Sequence, residues 1–220
     1  MDLLAWLSLA WLVVLSLVHL ILSYKEKKLS RGITKVFLMP SLMLLIYFLK
    51  VSNVFLYLAL TFGLLGDLFM LFKDKKIFLY GGFVSFAIGH FFYIYLILKI
   101  ANISLNPLWI SLYGVAVVFI VIYLASTILK TKFKKDSWIA TIYGAILFTV
   151  LISALILTST HRDLASGFVL FGSLLFIASD VYLGHTIYEH SEPHENFYIM
   201  LPYLLGQCGL ALGLAMLLLI

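Results

Sequence analysis

Two aspartates lie well inside hydrophobic segments that are long enough to span a membrane. Asp67 follows a glycine, and Asp180 follows a serine. An ionisable group at such a position is costly to bury, so it is by default a functional hypothesis. Two carboxyl groups in one apolar site can divide acid–base work, because one can hold a proton while the other stays ionised. The alternative is that each is a neutral acid hydrogen-bonded between helices.

Other polar side chains fall at the same predicted depth. Asp67 and Asp180 each lie six residues before the end of their segment, which at the rise of an α-helix is about 9 Å from the membrane surface. Four more residues fall in this layer: His19, Tyr123, Tyr143 and Tyr203. Gln207 and His90 lie deeper, at about 15 and 20 Å. The layer predicts a polar cavity open to the cytoplasm, although a single tyrosine at this depth is also typical of an interfacial anchor.

The elements that carry these residues are membrane helices. Of the 220 residues, 64% are hydrophobic and only 11% are charged, and the mean hydropathy is +1.12. This composition excludes a soluble globular protein. It predicts an all-α, polytopic membrane protein with a single eight-helix transmembrane domain over residues 1–220. The predicted spans are Leu3 to Tyr24, Lys35 to Leu49, Asn53 to Phe72, Ile77 to Leu98, Pro107 to Leu129, Ser137 to Ser159, Leu164 to Thr186, and Phe197 to Ile220. The second is short and contains Pro40, so a reentrant or kinked element is an alternative there.

The basic residues predict the orientation of the chain. The net charge is +5, but the Lys and Arg residues lie between hydrophobic runs and form no stripe typical of nucleic-acid binding. Most of them fall in the first, third and fifth loops, which the positive-inside rule places in the cytoplasm. Both termini are then predicted to be non-cytoplasmic.

A faint internal repeat relates the two halves. The third span carries FGLLGDLFMLF and the seventh carries LLFIASDVYLG. Each is followed in the next span by a glycine and a polar residue, Gly89-His90 and Gly206-Gln207. Four spans separate the copies, so the pattern predicts a 4+4 parallel repeat that brings the two aspartates to one cavity.

Several common chemistries have no support in the sequence. His185, His190 and His194 suggest a metal site, but Pro193 interrupts the helix that the spacing would need, so we expect no metal and no cofactor. The chain has no GxSxG elbow, no P-loop and no GxGxxG. The single cysteine, Cys208, excludes an internal disulfide.

Six short motifs together resemble the YhhN/TMEM86 family of lysoplasmalogenases. They are TK-(x)4-P from Thr34 to Pro40, GDLFML from Gly66 to Leu71, GH-(x)2-Y from Gly89 to Tyr93, YGAILF from Tyr143 to Phe148, SD at Ser179 and Asp180, and Y-(x)2-GQ from Tyr203 to Gln207. The similarity runs from about Thr34 to Gly213. The sequence departs from the family at Val36, where proline often follows the lysine, and at Gly206, where alanine is common before the glutamine.

The resemblance implies hydrolysis of the vinyl ether bond of lysoplasmalogens to a fatty aldehyde and glycerophosphocholine or glycerophosphoethanolamine. We expect Asp67 and Asp180 to be the catalytic acid and carboxylate, in an order that the sequence does not assign. The predicted substrate-binding residues are Lys35, for the lipid phosphate, and His90, Tyr93, Tyr143, Tyr203 and Gln207. The expected partners are a lysophospholipid, water and membrane lipids, with no nucleic acid, in a bacterial cytoplasmic membrane or in the endoplasmic reticulum.

Two other functions are compatible with the same residues. Paired membrane aspartates and a repeat also suit a proton-coupled transporter. A lipid-binding or structural membrane protein without chemistry is the third possibility, and it would tolerate the loss of either carboxylate.

Overall fold

The structure is a computed structural model that describes residues 2–102, 137–188 and 192–219. Within these ranges the regular elements are all α-helices. They are α1 (Leu3–Tyr24), α2 (Lys28–Phe48), α3 (Val54–Met70), α4 (Lys76–Ile100), α5 (Ser137–His161), α6 (Leu164–Tyr188) and α7 (Glu195–Leu218). Six of them are long and apolar enough to cross a membrane, and α3 is a shorter apolar helix of 17 residues. The protein is therefore a multi-pass, all-α membrane protein.

The described helices correspond to seven of the eight predicted spans. The fifth span, with Tyr123, lies outside the described residues. The predicted start of the second span is wrong, because α2 begins at Lys28 and runs through Pro40 without a break. The residues before Lys35 are basic and were assigned to a loop. Long basic side chains can lie along a helix with their charges in water, so the helix extends past the apolar segment.

Tight turns join α1 to α2, α2 to α3 and α5 to α6. Glu26, Lys50 and Arg162 have a positive φ, and each lies in one of these turns, while His194 has a positive φ just before α7. Side chains cap the next helix at two of the starts, because Asn53 accepts from the backbone of α3 and Asp163 from that of α6. Antiparallel neighbours are the consequence of such short connections.

The described helices form a closed ring in which each touches the next along the chain, and α7 touches α1. In addition, α7 contacts α2, α3 and α4, so it lies toward the middle of the bundle. Its closest neighbour is α6. A Cβ atom added at Gly206 would lie 2.9 Å from the backbone nitrogen of Phe176 and 3.0 Å from the carbonyl oxygen of Gly172. Glycine therefore allows the two backbones to touch.

The polarity of the bundle is the reverse of that of a soluble protein. Large apolar side chains such as Trp6, Phe91 and Phe171 are more than half exposed on its outer face. Asp67, by contrast, is 1% exposed inside. An apolar exterior around polar groups is typical of a bundle surrounded by lipid tails.

Candidate active site

A cavity of about 290 Å³ opens between the helices and contains both aspartates. Its wall includes side chains from α1, α2, α3, α4, α6 and α7. Asp67 projects from α3 and Asp180 from α6. In the described part of the chain these two helices make no direct contact, so the two carboxyl groups approach the cavity from separate walls. The structure thus brings together the two residues that the sequence selected.

The Asp67 carboxylate has two neighbouring groups, a tyrosine hydroxyl and a lysine ammonium. The Tyr203 hydroxyl donates a hydrogen bond to its Oδ2 at 2.6 Å. Lys35 Nζ lies 3.2 Å from its Oδ1. The preceding residue must be small for Phe86 to pack against α3, because a Cβ atom at Gly66 would lie 2.7 Å from the Phe86 ring. A cation at this distance and a phenol donor both stabilise an ionised carboxylate.

Asp180 has a different environment. The Tyr143 hydroxyl donates to its Oδ2 at 2.5 Å. No lysine or arginine nitrogen of the described residues lies within ion-pair distance of it. The adjacent Ser179 donates to the carbonyl oxygen of Ile199 at 2.9 Å and so attaches this turn of α6 to α7. Asp180 is half-buried and faces the cavity.

A chain of hydrogen bonds supports Asp67 from behind. The Tyr93 hydroxyl donates to Gln207 Oε1 at 3.0 Å, and the Gln207 side chain lies next to the Tyr203 hydroxyl, one turn earlier on α7. Tyr93 and Gln207 are at most 2% exposed and lie outside the cavity wall. Gly63 makes room for the amide, since a Cβ atom there would lie 3.3 Å from Gln207 Nε2. The chain orients Tyr203, and through it the carboxylate.

The predicted substrate-binding residues therefore divide into two groups. Lys35 and Tyr203 line the cavity, whereas Tyr93, Tyr143, His90 and Gln207 lie behind its wall. Lys35 contacts Asp67, and its predicted contact with a lipid phosphate stays a prediction.

Two buried histidines lie near the aspartates. His90 Nδ1 lies 2.7 Å from the carbonyl oxygen of Phe86, which can only accept, so Nδ1 carries the hydrogen. His19 Nδ1 lies 2.8 Å from the Thr34 hydroxyl, which is also 3.0 Å from the backbone carbonyl oxygen of Arg31. In both rings Nε2 has no hydrogen-bond partner in the described chain. His19, which the sequence placed in the polar layer, is a member of the cavity wall.

The mouth of the cavity is strongly charged. Lys28 and Arg31 on α2 lie there with Lys73, Asp74 and Glu195. Lys73 Nζ is 3.9 Å from Glu195 Oε1. Burial lowers the pKa of Lys73, and the Glu195 carboxylate opposes that shift. Lys28 and Arg31 were not among the site residues predicted from the sequence. Their spacing relative to Lys35 indicates one helical face and was the available signal.

The described residues hold no group of three or more His, Cys, Asp or Glu side chains suited to a metal ion. His190, one of the three histidines considered for such a site, lies outside them. His194 Nδ1 bonds the carbonyl oxygen of Tyr24 at 2.7 Å, and the two rings stack. This histidine fastens the start of α7 to the α1–α2 turn.

Comparison with known proteins assigns most of the chain. A model of the YhhN family matches residues 30–214, which include every residue of the cavity wall except those of α1 and Lys28. No curated protein and no solved structure matches the chain.

Proposed function

We propose that this chain, which belongs to the YhhN family, is an intramembrane hydrolase that cleaves the vinyl ether bond of lysoplasmalogens by acid–base catalysis. One observation carries the proposal: two carboxyl groups with different partners meet in one cavity inside a membrane bundle. Hydrolysis of a vinyl ether requires a proton donor and a group that stabilises a cation, which is the division of labour that these environments favour.

The contacts favour one assignment of roles. Asp67 faces the Lys35 ammonium and accepts from Tyr203, so it is the stable carboxylate. Asp180 has a single phenol partner, Tyr143, and no cation within ion-pair distance in the described chain, so it is the group that holds a proton. We assign Asp180 as the general acid and Asp67 as the stabilising anion.

The reaction then balances with these two groups and water. Asp180 donates its proton to the alkene carbon, and the positive charge that forms on the ether carbon and oxygen is stabilised by Asp67. A water molecule adds to the cationic carbon and gives its proton to Asp180, which is now a base. The resulting hemiacetal then collapses: its carbon–oxygen bond to glycerol breaks as Asp180 gives its proton to that oxygen, and the hemiacetal hydroxyl gives its own proton back to Asp180. A fatty aldehyde and the glycerophospho-head group leave, and Asp180 is again protonated.

The direct test is release of fatty aldehyde from a lysoplasmalogen by purified protein in detergent. We expect Asp67→Asn and Asp180→Asn each to lower kcat by about 10³-fold or more. Asp74→Asn, which removes a carboxylate from the mouth of the same cavity, is the matched control and keeps most of kcat. Thermal unfolding of each variant establishes that it is folded. A folded wild-type protein that releases no aldehyde, or an Asp180→Asn variant with unchanged kcat, contradicts the proposal.

The proposal includes eight spans, with the cavity mouth facing the cytoplasm and both termini on the other side. The basic side chains Lys28, Arg31 and Lys73 at the mouth support this orientation. Single cysteines in a chain that carries Cys208→Ser test it. Lys75→Cys should react with a membrane-impermeant thiol reagent only in permeabilised cells, whereas Ser52→Cys should react in intact cells. The reverse pattern would show that the orientation is wrong.

The bundle also supports the proposed 4+4 parallel repeat. A Cβ atom at Gly89 would lie 3.0 Å from the carbonyl oxygen of Ala59, eight residues before Asp67. One at Gly206 would lie 3.0 Å from that of Gly172, eight residues before Asp180. Each glycine thus packs at the same level of the helix that carries an aspartate. The repeat explains why two aspartates reach one cavity.

A further inference from the structure

The mouth of the cavity carries charges of both signs. Lys28 and Arg31 project into it from the first turns of α2. Neither forms an ion pair within 4 Å with any other described residue. The mouth also holds Lys73, Asp74 and Glu195, of which Lys73 and Glu195 face each other at 3.9 Å. Two cationic groups are therefore available to an anion that enters the cavity.

The start of α2 adds a second attraction for an anion. The helix begins at Lys28 without a side chain that caps its first amide groups. Uncapped amides at a helix N-terminus carry partial positive charge and point toward incoming anions. Because Lys28 and Arg31 lie on this turn, the backbone and the side chains favour the same ligand charge.

Glu195 provides a complementary negative site. Its Oε1 is the atom nearest to Lys73, while its Oε2 is buried and has no hydrogen-bond partner in the described chain. A buried carboxylate oxygen without a partner is costly. A cationic head group at the mouth would stabilise this carboxylate by its charge, and a primary ammonium would also donate a hydrogen bond to Oε2.

The spacing along α2 matches the dimensions of a glycerophospholipid. Arg31 lies one turn from Lys35, about 6 Å along the helix axis, and Lys28 lies about 10 Å from it. Lys35 marks the level of Asp67. Five single bonds join the ether oxygen of a lysophospholipid to its phosphorus, a span of roughly 6 Å at bond lengths of about 1.5 Å. A vinyl ether placed at the carboxylates thus has its phosphate at the level of Arg31.

We infer that the cavity mouth is a binding site for a zwitterionic glycerophospho-head group, with the phosphate on Arg31 and Lys28 and the amine on Glu195. This inference rests on the proposed function for the level at which the ether lies. It moves the phosphate from Lys35, the predicted ligand, to residues one and two turns nearer the membrane surface. Lys35 stays with Asp67.

Binding of uncleavable lipids tests the site without any turnover. The probes are three saturated alkyl ethers of glycerol: one with phosphocholine, one with phosphate alone, and one with neither. Their affinities are measured in detergent for wild type, Arg31→Gln, Lys28→Gln, Glu195→Gln and the control Lys25→Gln. Lys25 is an exposed lysine at the end of α1, three residues before α2, that does not line the cavity.

We expect Arg31→Gln to weaken binding of both phosphate-bearing lipids about tenfold and to leave the phosphate-free ether unchanged. Lys28→Gln should do the same to a smaller extent. Glu195→Gln should weaken binding of the phosphocholine lipid but not of the lipid with phosphate alone. Lys25→Gln should change none of them.

The inference is overturned if Arg31→Gln weakens the phosphate-free ether equally, or if Lys25→Gln acts as Arg31→Gln does. Inorganic phosphate distinguishes a head-group site from a general anion site. If it competes with the phosphocholine lipid at a similar affinity, free phosphate is the ligand and the head-group assignment fails. Because no probe is cleaved, an absence of aldehyde release would reject the proposed function while leaving these results interpretable.

Discussion

Lys35 Nζ lies 3.2 Å from Oδ1 of Asp67, an ion pair between α2 and α3 inside the membrane bundle. Lys35 retains 17% of its side-chain exposure, whereas Asp67 has 1%. The lysine can therefore keep contact with water at the mouth, but the carboxylate depends on protein partners. The ion pair therefore joins α2 to α3, and only its lysine, on α2, is in contact with water.

Lys35→Met should destabilise the protein more than an ordinary surface substitution, because it leaves the Asp67 carboxylate without its cation. The expected cost is about 2–3 kcal/mol. Adding Asp67→Asn should recover part of this loss, since it removes the unpaired charge. Thermal unfolding in detergent, followed by tryptophan fluorescence, measures both. Lys99→Met, at an exposed position on α4, is the control, and strictly additive effects of the two substitutions would contradict the ion pair's role.

Tyr143→Phe should lower kcat by about 10- to 100-fold while KM changes little. The substitution removes one hydroxyl from Asp180 but keeps the ring contact with Phe83, at 5.3 Å between centroids. A proton donor that is no longer held in place is less often in a reactive geometry. Tyr95→Phe changes a tyrosine on the exposed face of α4 and controls for loss of a hydroxyl. A fall in stability with unchanged kcat would indicate a structural role only.

Gly206→Ala should destabilise the bundle by about 1–3 kcal/mol, because its Cβ atom would enter the backbone of α6. Gln207, the next residue, would move with it and disturb the support of Tyr203. Gly167→Ala provides a matched control on α6, since a Cβ atom there meets no atom of the described residues within 4 Å. That variant should be neutral or more stable by up to about 1 kcal/mol. Equal unfolding temperatures for the two variants would show that the close approach of α6 and α7 is not needed.

Asp163→Ala should cost about 1 kcal/mol at neutral pH, because Asp163 caps α6. Its Oδ1 accepts from the backbone nitrogen of Ser166 at 2.7 Å. This hydrogen bond holds the pKa of Asp163 below its usual value of 3.8. A lowered pKa in the folded state means that the contribution is complete above pH 3.8 and disappears as the pH falls through the folded-state value. Unfolding temperatures of wild type and variant should therefore converge in acid, and a gap that widens there would refute the assignment.

The helices could be predicted from the sequence because a membrane span is a long, uninterrupted run of apolar residues. Seven of the predicted spans correspond to described helices, and Asp67 and Asp180 do lie in one cavity. Counting residues from the span ends placed Asp67 and Asp180 at one depth. Residues at equal distances from one membrane surface lie in one layer, whichever span carries them.

Other features required three-dimensional contacts. Tyr203 was placed beside the aspartates by depth, but depth does not show that it donates to Asp67 while Tyr143 donates to Asp180. Lys35 was assigned to the lipid phosphate because it lies at the predicted cytoplasmic mouth, where its ammonium could bind an anion. Only the rotation of α2 about its axis directs it to Asp67, and hydropathy carries no information on that rotation. Arg31 was missed for a different reason, because the predicted span began at Lys35 and left Arg31 in a loop, whereas α2 begins at Lys28.

The central position of α7 has a consequence for how the protein acquires its site during synthesis. Tyr203, which donates to Asp67, belongs to the last described helix, as do Gln207 and, at the mouth, Glu195. The two partners of Asp67 thus come from α2 and α7, which are separated by most of the chain. A chain that stops before residue 195 would leave Asp67 with Lys35 but without its phenol donor, and a buried carboxylate is costly without donors. The site is therefore complete only after α7 has been made.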